Sequence, residues 1–360
     1  MAIKYKQIAE KLREIIQHNT RYGIDKLPTE QELCKKYRVS RQTIRQALDV
    51  VEKEGLIKRV QGSGSFITGL STDSSANIIG LLIFSEDEYI YPALIEDIRH
   101  TLYPEGFTLK VYNTFNNPDI EREILKTLLI NPLRGLIIQG SKSALPSPNL
   151  DIIRELQGKG VNIIFLHNYY DGLKNITYIK DDNYGGAYSL VRHLHELGHE
   201  RIGGIFHSED RQGIERYRGY IEAMRDYNLP VTDSMVEWFR SREYNSLENK
   251  HDTTFLRNMF PSLLENCTAI IIYNDELAYH FITELYTINK EYARNVAIAS
   301  FDNTYLSNTN YLRLTTLSHK PHEVGKKVAE MIIDKLKGLP VESLEVPWEL
   351  YQKESSRKKE

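Results

Sequence analysis

The sequence has little cysteine and no long apolar run, and both absences narrow the class of protein. Its 360 residues include only two cysteines, Cys34 and Cys267, which offer neither a disulfide framework nor the CxxC spacing of a metal site. No stretch reaches the roughly 18 apolar residues of a membrane-spanning helix, and the N-terminus lacks an apolar segment of signal-peptide length. We therefore expect a cytoplasmic protein with no membrane partner, no metal and no cofactor.

Composition and length are those of an ordinary globular protein with more than one domain. Hydrophobic residues make up 41% of the chain and charged residues 26%. A length of 360 residues predicts two or three folding units. The net charge of −3 is distributed unevenly: residues 1–69 hold 14 Lys and Arg against 8 Asp and Glu, so the remainder is acidic. A basic head on an acidic body is typical of a protein in which only the head meets nucleic acid.

The first fifty residues predict a helix-turn-helix. An amphipathic pattern over 5–17 predicts the first helix, and Thr29 with Glu32 forms a capping box for a short second one. Ser40 is a suitable N-cap for a third helix, in which Ile44 and Leu48 fall on one apolar stripe. The basic side chains off that stripe fit a DNA-reading face, and an ordinary solvated helix face is the alternative.

A β-hairpin is predicted directly after these helices. Residues 56–60 and 65–68 read as two strands around Gln61-Gly62-Ser63-Gly64. So small a tip lets the backbone approach a phosphate or enter a minor groove. The alternative is an ordinary solvated hairpin.

These three features together resemble the GntR-type winged helix-turn-helix, an α+β fold. The motifs that carry the resemblance are Leu27-Pro-Thr-Glu-x-x-Leu33, Val39-Ser-Arg-x-Thr-Ile-Arg-x-Ala-Leu48 and Gly55-Leu-Ile-x-x-x-Gln-Gly-x-Gly-x-Phe-Ile67. The resemblance covers almost all of residues 1–69 and implies binding to double-stranded operator DNA. The residues it implies for major-groove contact are Arg41, Gln42, Thr43 and Arg45, helped by Glu30. Those it implies for the wing tip are Gln61, Gly62, Ser63 and Gly64.

A second, α/β part begins after a polar linker at 70–76. From residue 77 onward, predicted strands alternate with helices, which indicates parallel sheets wrapped by helices. The strands are predicted at 78–84, 108–112, 135–139, 162–166, 202–206, near 236, at 269–273 and at 296–300. The helices are predicted at 93–103, 119–129, 149–157, 184–197, 214–227, 252–260 and 276–288. Because the alternation restarts after 166, we expect two lobes with a cleft between them.

The loops after these strands are rich in polar side chains. Ligands of open parallel sheets bind at the carboxyl ends of the strands, so these loops are the expected binding surface. A lone Asp at such a position is usually a helix cap. Several carboxylates, amides and a guanidinium near aromatic rings instead favour a pocket for a polyol.

The body from about 77 to 350 resembles the two-lobed, periplasmic-binding-protein-like effector domain of the LacI/GalR family. The stretches that carry this resemblance are Asn117-Pro-Asp-x-Glu-Arg122, Asp182-Asn183-x-Gly-Gly186, His193-Leu-x-Glu-Leu-Gly-His-x-Arg-Ile202, Arg216-x-x-Gly-Tyr220, Asn274-Asp-Glu-x-Ala278 and Phe301-Asp302. It implies a homodimeric repressor that a small sugar releases from its operator. The implied effector-binding residues are Tyr91, Lys142, His167, Asp210, Gln212, Arg216, Asn274, Asp302 and His319.

Shorter stretches narrow the resemblance to members that join a GntR-type head to this body and respond to L-arabinose. These stretches are Asn116-Asn-Pro-Asp119, Lys142-Ser-Ala-Leu145, Asp210-x-Gln-Gly213, Tyr273-Asn-Asp-Glu276 and His319-Lys-Pro-His322. Another pentose or an oligosaccharide is the alternative effector. A sugar-transport or chemoreceptor protein would share the body but not the winged head.

One motif points to a different class of protein. His195-Glu196-Leu197-Gly198-His199 matches the HExxH signature of zinc hydrolases, which needs both histidines on one face of a continuous helix. Gly198 is a helix-stop signal, and a strand is predicted immediately afterwards. We therefore interpret the stretch as a helix end and expect no catalytic residues.

Overall fold

The computed structural model describes residues 2–21, 26–54, 56–60, 64–67, 77–87, 90–250, 252–309 and 312–357. The N-terminal part contains three helices, Ala2–Arg21 (α1), Glu30–Tyr37 (α2) and Arg41–Lys53 (α3). An antiparallel hairpin of Ile57–Val60 (β1) and Gly64–Ile67 (β2) follows, so the head has the order predicted from the sequence. Gln61, Gly62 and Ser63 at the wing tip lie outside the described residues, as does the predicted linker at 70–76.

Local capping and one small core hold the head together. The Thr29 hydroxyl accepts from the backbone N–H of Glu32 at 3.3 Å, and the Glu32 carboxylate accepts from the N–H of Thr29 at 2.7 Å. This reciprocal pair is the predicted capping box. Leu12, Leu33 and Ile44 are fully buried in the core where the three helices meet.

The first lobe of the body is a parallel sheet covered by helices on both faces. Its strands are Ile78–Ile83 (β3), Thr108–Asn113 (β4), Gly135–Ile138 (β5), Asn162–Leu166 (β6), Tyr178–Asp181 (β7) and Leu344–Val346 (β15). The sheet has the strand order β15-β7-β6-β5-β3-β4. The helices are Tyr91–Leu102 (α4), Pro118–Ile130 (α5), Leu150–Gly158 (α6) and Glu323–Leu336 (α13).

The second lobe repeats this plan with one antiparallel edge strand. Its strands are Ile202–His207 (β8), Val236–Phe239 (β9), Ala269–Ile272 (β10), Ala297–Phe301 (β11), Thr315–Ser318 (β14) and Glu349–Tyr351 (β16), and a ribbon of Asn308–Thr309 (β12) and Leu312–Arg313 (β13) lies beside them. The sheet has the order β16-β14-β11-β10-β8-β9, and only β16 runs antiparallel. The helices are Asn183–Glu196 (α7), Arg211–Asp226 (α8), Ser241–Lys250 (α9), Thr254–Asn266 (α10), Asp275–Ile288 (α11) and Lys290–Asn295 (α12).

The chain crosses between the lobes three times. It leaves the first lobe after Asp181, returns after Ser318 and leaves again after Val346. Each lobe therefore contains chain from distant parts of the sequence, and the carboxyl ends of parallel strands from both sheets face one cleft.

The structure corrects several sequence predictions in the body. Strand β7 was not predicted, because Lys180 interrupts its apolar pattern; this buried lysine is compensated by Glu215, 2.9 Å away. Helix α9 was not predicted, and α8 begins at Arg211 rather than at 214. Helix α10 continues to Asn266 through Pro261, where we expected an end. The apolar stripe that Leu263 continues beyond the proline keeps this helix packed on the core.

No helix among the described residues has both the length and the apolar character needed to cross a membrane.

Two glycine substitutions should have opposite effects on stability. Gly219 of α8 lies against the backbone oxygen of Tyr184 in α7, so a methyl group there would collide with backbone. Gly219→Ala is expected to destabilise the second lobe by about 1–3 kcal/mol, because the two helices must separate. Thermal unfolding of the full chain measures this loss as a lower melting temperature.

Gly158→Ala is the matched control. Gly158 ends α6 with open space around the position of a Cβ atom, so alanine should stabilise the chain by about 0.5–1 kcal/mol. A melting temperature unchanged by Gly219→Ala would contradict the close α7–α8 approach.

Candidate functional sites: a DNA-reading helix and an interlobe cleft

The start of helix α3 presents polar donors to solvent. The Ser40 hydroxyl caps the helix by accepting from the N–H of Thr43 at 3.3 Å, as predicted. Arg41, Gln42 and Arg45 are exposed, while Ile44 on the opposite face is buried. This surface has the donor types that read base edges in a major groove.

Glu30 holds one of these arginines in place. Its carboxylate oxygens accept from Nε of Arg45 at 3.0 and 3.1 Å, which links the start of α2 to α3. Strand β2 of the wing is attached to the same head through the N–H of Leu27, which donates to Ser65 O at 2.9 Å. Gly64, the one described residue of the predicted tip, pairs with Val60 at the end of the hairpin.

The cleft between the lobes has a volume of about 370 Å³ and is built from loops that follow strands in both sheets. Eight of the nine side chains predicted to bind an effector line it: Tyr91, His167, Asp210, Gln212, Arg216, Asn274, Asp302 and His319. Lys142 does not. Lining residues that the sequence reasoning missed include Asn116, Asp181, His207, Ser241 and Trp348.

Arg216 is a buried cation in the cleft wall, 2% exposed. Its Nε donates to Asn183 Oδ1 at 2.9 Å, and a second nitrogen donates to the carbonyl of Tyr273. The guanidinium carbon lies 3.9 Å from the ring centre of Phe301 and 5.8 Å from that of Trp348. Hydrogen bonds and aromatic faces thus fix the plane of this side chain.

Asp181 organises the donors at the back of the cleft. One carboxylate oxygen lies 3.2 Å from His167 Nδ1 and accepts from Gln212 Nε2 at 3.1 Å, while the other lies 2.7 Å from His319 Nε2. Burial alone would raise the pKa of Asp181, but the charges and hydrogen bonds of the two histidines outweigh it and hold this pKa well below the ordinary value. Asp181 is therefore a carboxylate at neutral pH.

A second group of polar side chains joins the two lobes across the cleft. Asn116 of the first lobe donates to Asp210 Oδ1 at 3.3 Å and to Ser241 Oγ at 2.9 Å in the second. His207 Nδ1 lies 2.7 Å from the other Asp210 oxygen. Asp210 is thus held from both lobes.

Lys142 lies beside this group and outside the cleft lining, which corrects its expected position. Its ammonium lies 2.9 Å from the Glu209 carboxylate of the opposite lobe, and its backbone N–H donates to Asn116 Oδ1 at 2.7 Å. The neighbouring Ser143 hydroxyl accepts from the N–H of Arg211 at 3.0 Å. Lys142 therefore connects the lobes and does not face the ligand space.

The other predicted residues occupy the cleft walls. The Tyr91 hydroxyl donates to Gln139 Oε1 at 2.6 Å, which fixes the ring at the start of α4. Asn274 caps α11 by accepting from the N–H of Leu277 at 2.9 Å and donates to the Tyr244 hydroxyl at 3.0 Å. Part of the role of Asn274 is thus structural, as expected of a polar residue at a strand end.

Unusual backbone geometry accumulates around the cleft. The non-glycine residues with positive φ that line it are Phe115, Asn116, His167, Asp302, Asn303 and His322. Such conformations cost of order 1–3 kcal/mol each and persist where function fixes a side chain. Their number here marks the cleft as a functional site.

The HExxH stretch does not form a metal site. Helix α7 ends at Glu196, and Gly198 adopts a φ of 86°, which turns the chain as predicted. His199 packs elsewhere, with Nε2 3.2 Å from Ser356 O and Nδ1 3.2 Å from Thr268 Oγ1. No cluster of potential metal ligands occurs in the described part of the chain.

Asp275 lies buried behind the cleft wall, at the start of α11. The hydroxyls of Ser300 and Thr316 and the N–H of Thr304 donate to it, the last two at 2.8 and 2.7 Å. Burial raises the pKa of Asp275 to about 7, with a further contribution from the nearby charge of Asp302, although the hydrogen bonds oppose the shift.

A head with a DNA-reading helix and a body with a polar interlobe cleft define a ligand-responsive DNA-binding regulator, and comparison with known proteins supports this class. Residues 4–67 match bacterial regulatory proteins of the gntR family, and residues 191–356 match a periplasmic binding protein-like domain. The chain is 30% identical over 342 residues to the arabinose metabolism transcriptional repressor of Halalkalibacterium halodurans, with 92% of this chain and 89% of that one covered. For the same-named repressor of Geobacillus stearothermophilus the identity is 30% over 343 residues, with 95% and 93% covered. The chain belongs to this family of transcriptional repressors.

Solved structures of transcriptional regulators share the fold of the body. One from Alkaliphilus metalliredigens, complexed with D-xylulofuranose, has a TM-score of 0.64 at 21% identity and covers 78% of this chain and 99% of its own. The regulator CelR in complex with cellobiose has a TM-score of 0.66 at 16% identity and covers 88% and 92%.

The raised pKa of Asp275 should be visible in the pH dependence of the free energy of unfolding. The pKa of Asp275 is about 7 in the folded chain and about 3.9 in the unfolded chain, so at pH values between these two the carboxylate takes up a proton when the chain folds. Its contribution to the free energy of unfolding is therefore fully present below pH 4 and is lost as pH rises through 7. In urea unfolding at pH 5 and pH 8, Asp275→Asn should lose less stability on going to pH 8 than the wild type, by on the order of 2 kcal/mol.

Asp233→Asn, at an exposed position of the same lobe, should retain the wild-type pH dependence. Equal slopes for Asp275→Asn and the wild type would refute the assigned shift.

Proposed function

We propose that this chain is a cytoplasmic repressor of sugar-utilisation genes, released from its operator by a small sugar, with L-arabinose as the effector. The domains are residues 1–69 for DNA binding, 70–76 as linker and 77–360 for effector binding and dimerisation. Membership of the repressor family supports the regulatory role. Two of these relatives are named arabinose metabolism repressors, and this name together with the chemistry of the cleft supports L-arabinose.

The observation that carries the sugar assignment is the environment of Arg216. A buried, planar donor on the cleft wall suits the ring and hydroxyl oxygens of a sugar. Asp181 and Asp302 supply acceptors for hydroxyl protons, and the Trp348 ring supplies an apolar face. A volume of about 370 Å³ is in the range of small-molecule sites.

The nearest charges favour a neutral ligand. His319 and His167 lie 2.7 and 3.2 Å from the Asp181 carboxylate, and His207 lies 2.7 Å from that of Asp210. A ligand with its own charge would have to give up its hydration to enter this buried space, at a high desolvation cost.

The lobe contacts give a route from sugar to DNA. Three residues of the first lobe contact the second lobe: Asn116, Lys142 and Ser143. These contacts stabilise the state in which the lobes are close together, so they favour binding of a ligand that draws the lobes together. In a homodimer, a change in lobe angle alters the separation of two recognition helices on a palindromic operator. Sugar and operator then oppose one another by a reciprocal coupling, typically 1–3 kcal/mol.

At the DNA, Arg41, Gln42, Thr43 and Arg45 read the major groove, and Gln61, Gly62, Ser63 and Gly64 form the wing tip. We assign Glu30 an orienting role. Its carboxylate would be repelled by phosphates, whereas its bond to Arg45 directs that side chain.

Sugar binding should depend on Arg216. Isothermal titration of the full chain with L-arabinose should give saturable heat, and Arg216→Ala should weaken binding at least a hundredfold because two buried donors are lost. Arg216→Lys retains the charge but not the planar donor set, so it should also bind weakly. Circular dichroism verifies that both variants fold.

The matched control is Arg218→Ala, two residues along α8 and exposed, which should bind as the wild type does. If D-xylose, D-ribose or an arabinose oligosaccharide gives heat and L-arabinose gives none, the assigned effector is wrong but the protein is still a sugar-responsive regulator. No heat with any sugar would refute the sugar assignment.

Operator binding should depend on the start of α3. In a gel shift with the chain's own promoter DNA, Arg41→Ala and Arg45→Ala together should weaken binding by about 2–6 kcal/mol, since each arginine–base contact is worth about 1–3 kcal/mol. Glu30→Gln should have a smaller effect in the same direction, because it frees Arg45 from one orientation.

Lys53→Ala, at the other end of the same helix, is the control and should cause a small loss at most. Unchanged affinity of the double arginine variant would refute this DNA face. L-arabinose added to the wild-type complex should release the DNA.

A further inference from the structure

His319 touches all three segments that connect the lobes. It lies in the second crossing, directly after β14. Its Nε2 lies 2.7 Å from Asp181 Oδ1 in the first crossing, and its Nδ1 lies 3.0 Å from the carbonyl oxygen of Pro347 in the third. Its ring stacks on that of Trp348, also in the third crossing, with centres 3.8 Å apart and planes 21° apart.

The partners of His319 determine its protonation state. A carboxylate and a carbonyl oxygen only accept hydrogen bonds, so both ring nitrogens must donate. An imidazole with two N–H groups carries a positive charge. A neutral ring would have to abandon either Asp181 or Pro347.

We propose that His319, as an imidazolium, clamps the three interlobe crossings, and that loss of its proton loosens the hinge and weakens sugar binding. His319 is thus a positioning residue that acts through Asp181 and Trp348. The link to sugar affinity rests on the function proposed above, whereas the clamp itself is a property of the hinge.

The charges around His319 favour the protonated form. Asp181 faces it from β7, and Asp302 faces it from the end of β11. Burial alone would lower the pKa of His319, but the hydrogen bond and charge of Asp181 raise it above the ordinary value. The clamp is therefore intact below pH 6.5 and is lost as pH rises through this raised pKa.

Other ionisable groups lie close enough to matter. His167 shares Asp181 through the second carboxylate oxygen, at 3.2 Å, and Arg216 approaches the Trp348 ring to 5.8 Å. In the same crossing as His319, Lys320 lies 3.9 Å from Glu349, and both side chains are exposed. Because these groups contribute to any pH profile, the test compares variants rather than one curve.

The clamp can be tested without sugar. The sequence has two tryptophans and 23 tyrosines, so Trp238→Phe leaves Trp348 as the sole emitter when excitation is at the red edge of tryptophan absorption, where tyrosine does not absorb. A stacked imidazolium quenches indole emission, so emission from the full chain should rise as pH increases from 6 to 9 through the His319 pKa. His319→Gln in the same background should abolish this rise, and His100→Gln, at an exposed position, should preserve it. Flat emission in the parent would overturn the clamp.

The consequence for binding is tested by titrating L-arabinose into the full chain at pH 6, 7, 8 and 9. Above the His319 pKa the wild-type Kd should rise by about tenfold per pH unit, because one proton is linked to binding. His319→Gln retains a donor to Asp181 but not to Pro347, so it should bind more weakly at pH 6 and lose most of this slope. An identical slope in the variant would overturn the linkage. If no heat is observed at any pH while the Trp348 emission titrates as expected, L-arabinose as the effector is refuted and the His319 clamp is not.

Discussion

The polypeptide passes between the two lobes three times, and this constraint determines where the functional residues lie. The carboxyl ends of parallel strands in both sheets open on the same cleft, so loops far apart in sequence meet there. Asp181 and His319 are 138 residues apart yet share a hydrogen bond, because each occupies a crossing. Both the cleft and the hinge are therefore formed by segments that are far apart in the sequence.

Within this frame, buried charges are balanced locally. Asp181 faces two histidines, Lys180 faces Glu215, and the charge of Arg216 is spread over hydrogen bonds and aromatic rings. In a low-dielectric setting each such group would be costly without its partner. The result is a polar and preorganised cleft wall, which suits a ligand rich in hydroxyl groups.

Local signals in the sequence predicted most of the fold. Thr29, Glu32 and Ser40 form caps with neighbours three residues away, so their pattern is visible in a short window, and Asn162–Leu166 has the predicted bounds of an apolar strand. Asp181 was missed because Lys180 breaks the pattern of its strand, and its partners are 14 to 138 residues away. Lys142 was assigned to the cleft from the resemblance to the LacI/GalR effector domain. Such a resemblance identifies the position of a residue in the sequence but not the direction in which its side chain points.

The thrice-crossed body also affects the order in which the parts fold during synthesis. The head is complete once residue 67 has emerged, since the core of its described residues is built from its own helices and hairpin. The first lobe lacks α13 and β15, and the second lacks β16, until residues 323–351 have been made. A ribosome-bound chain therefore carries a finished DNA-reading module long before either lobe that would control it is closed.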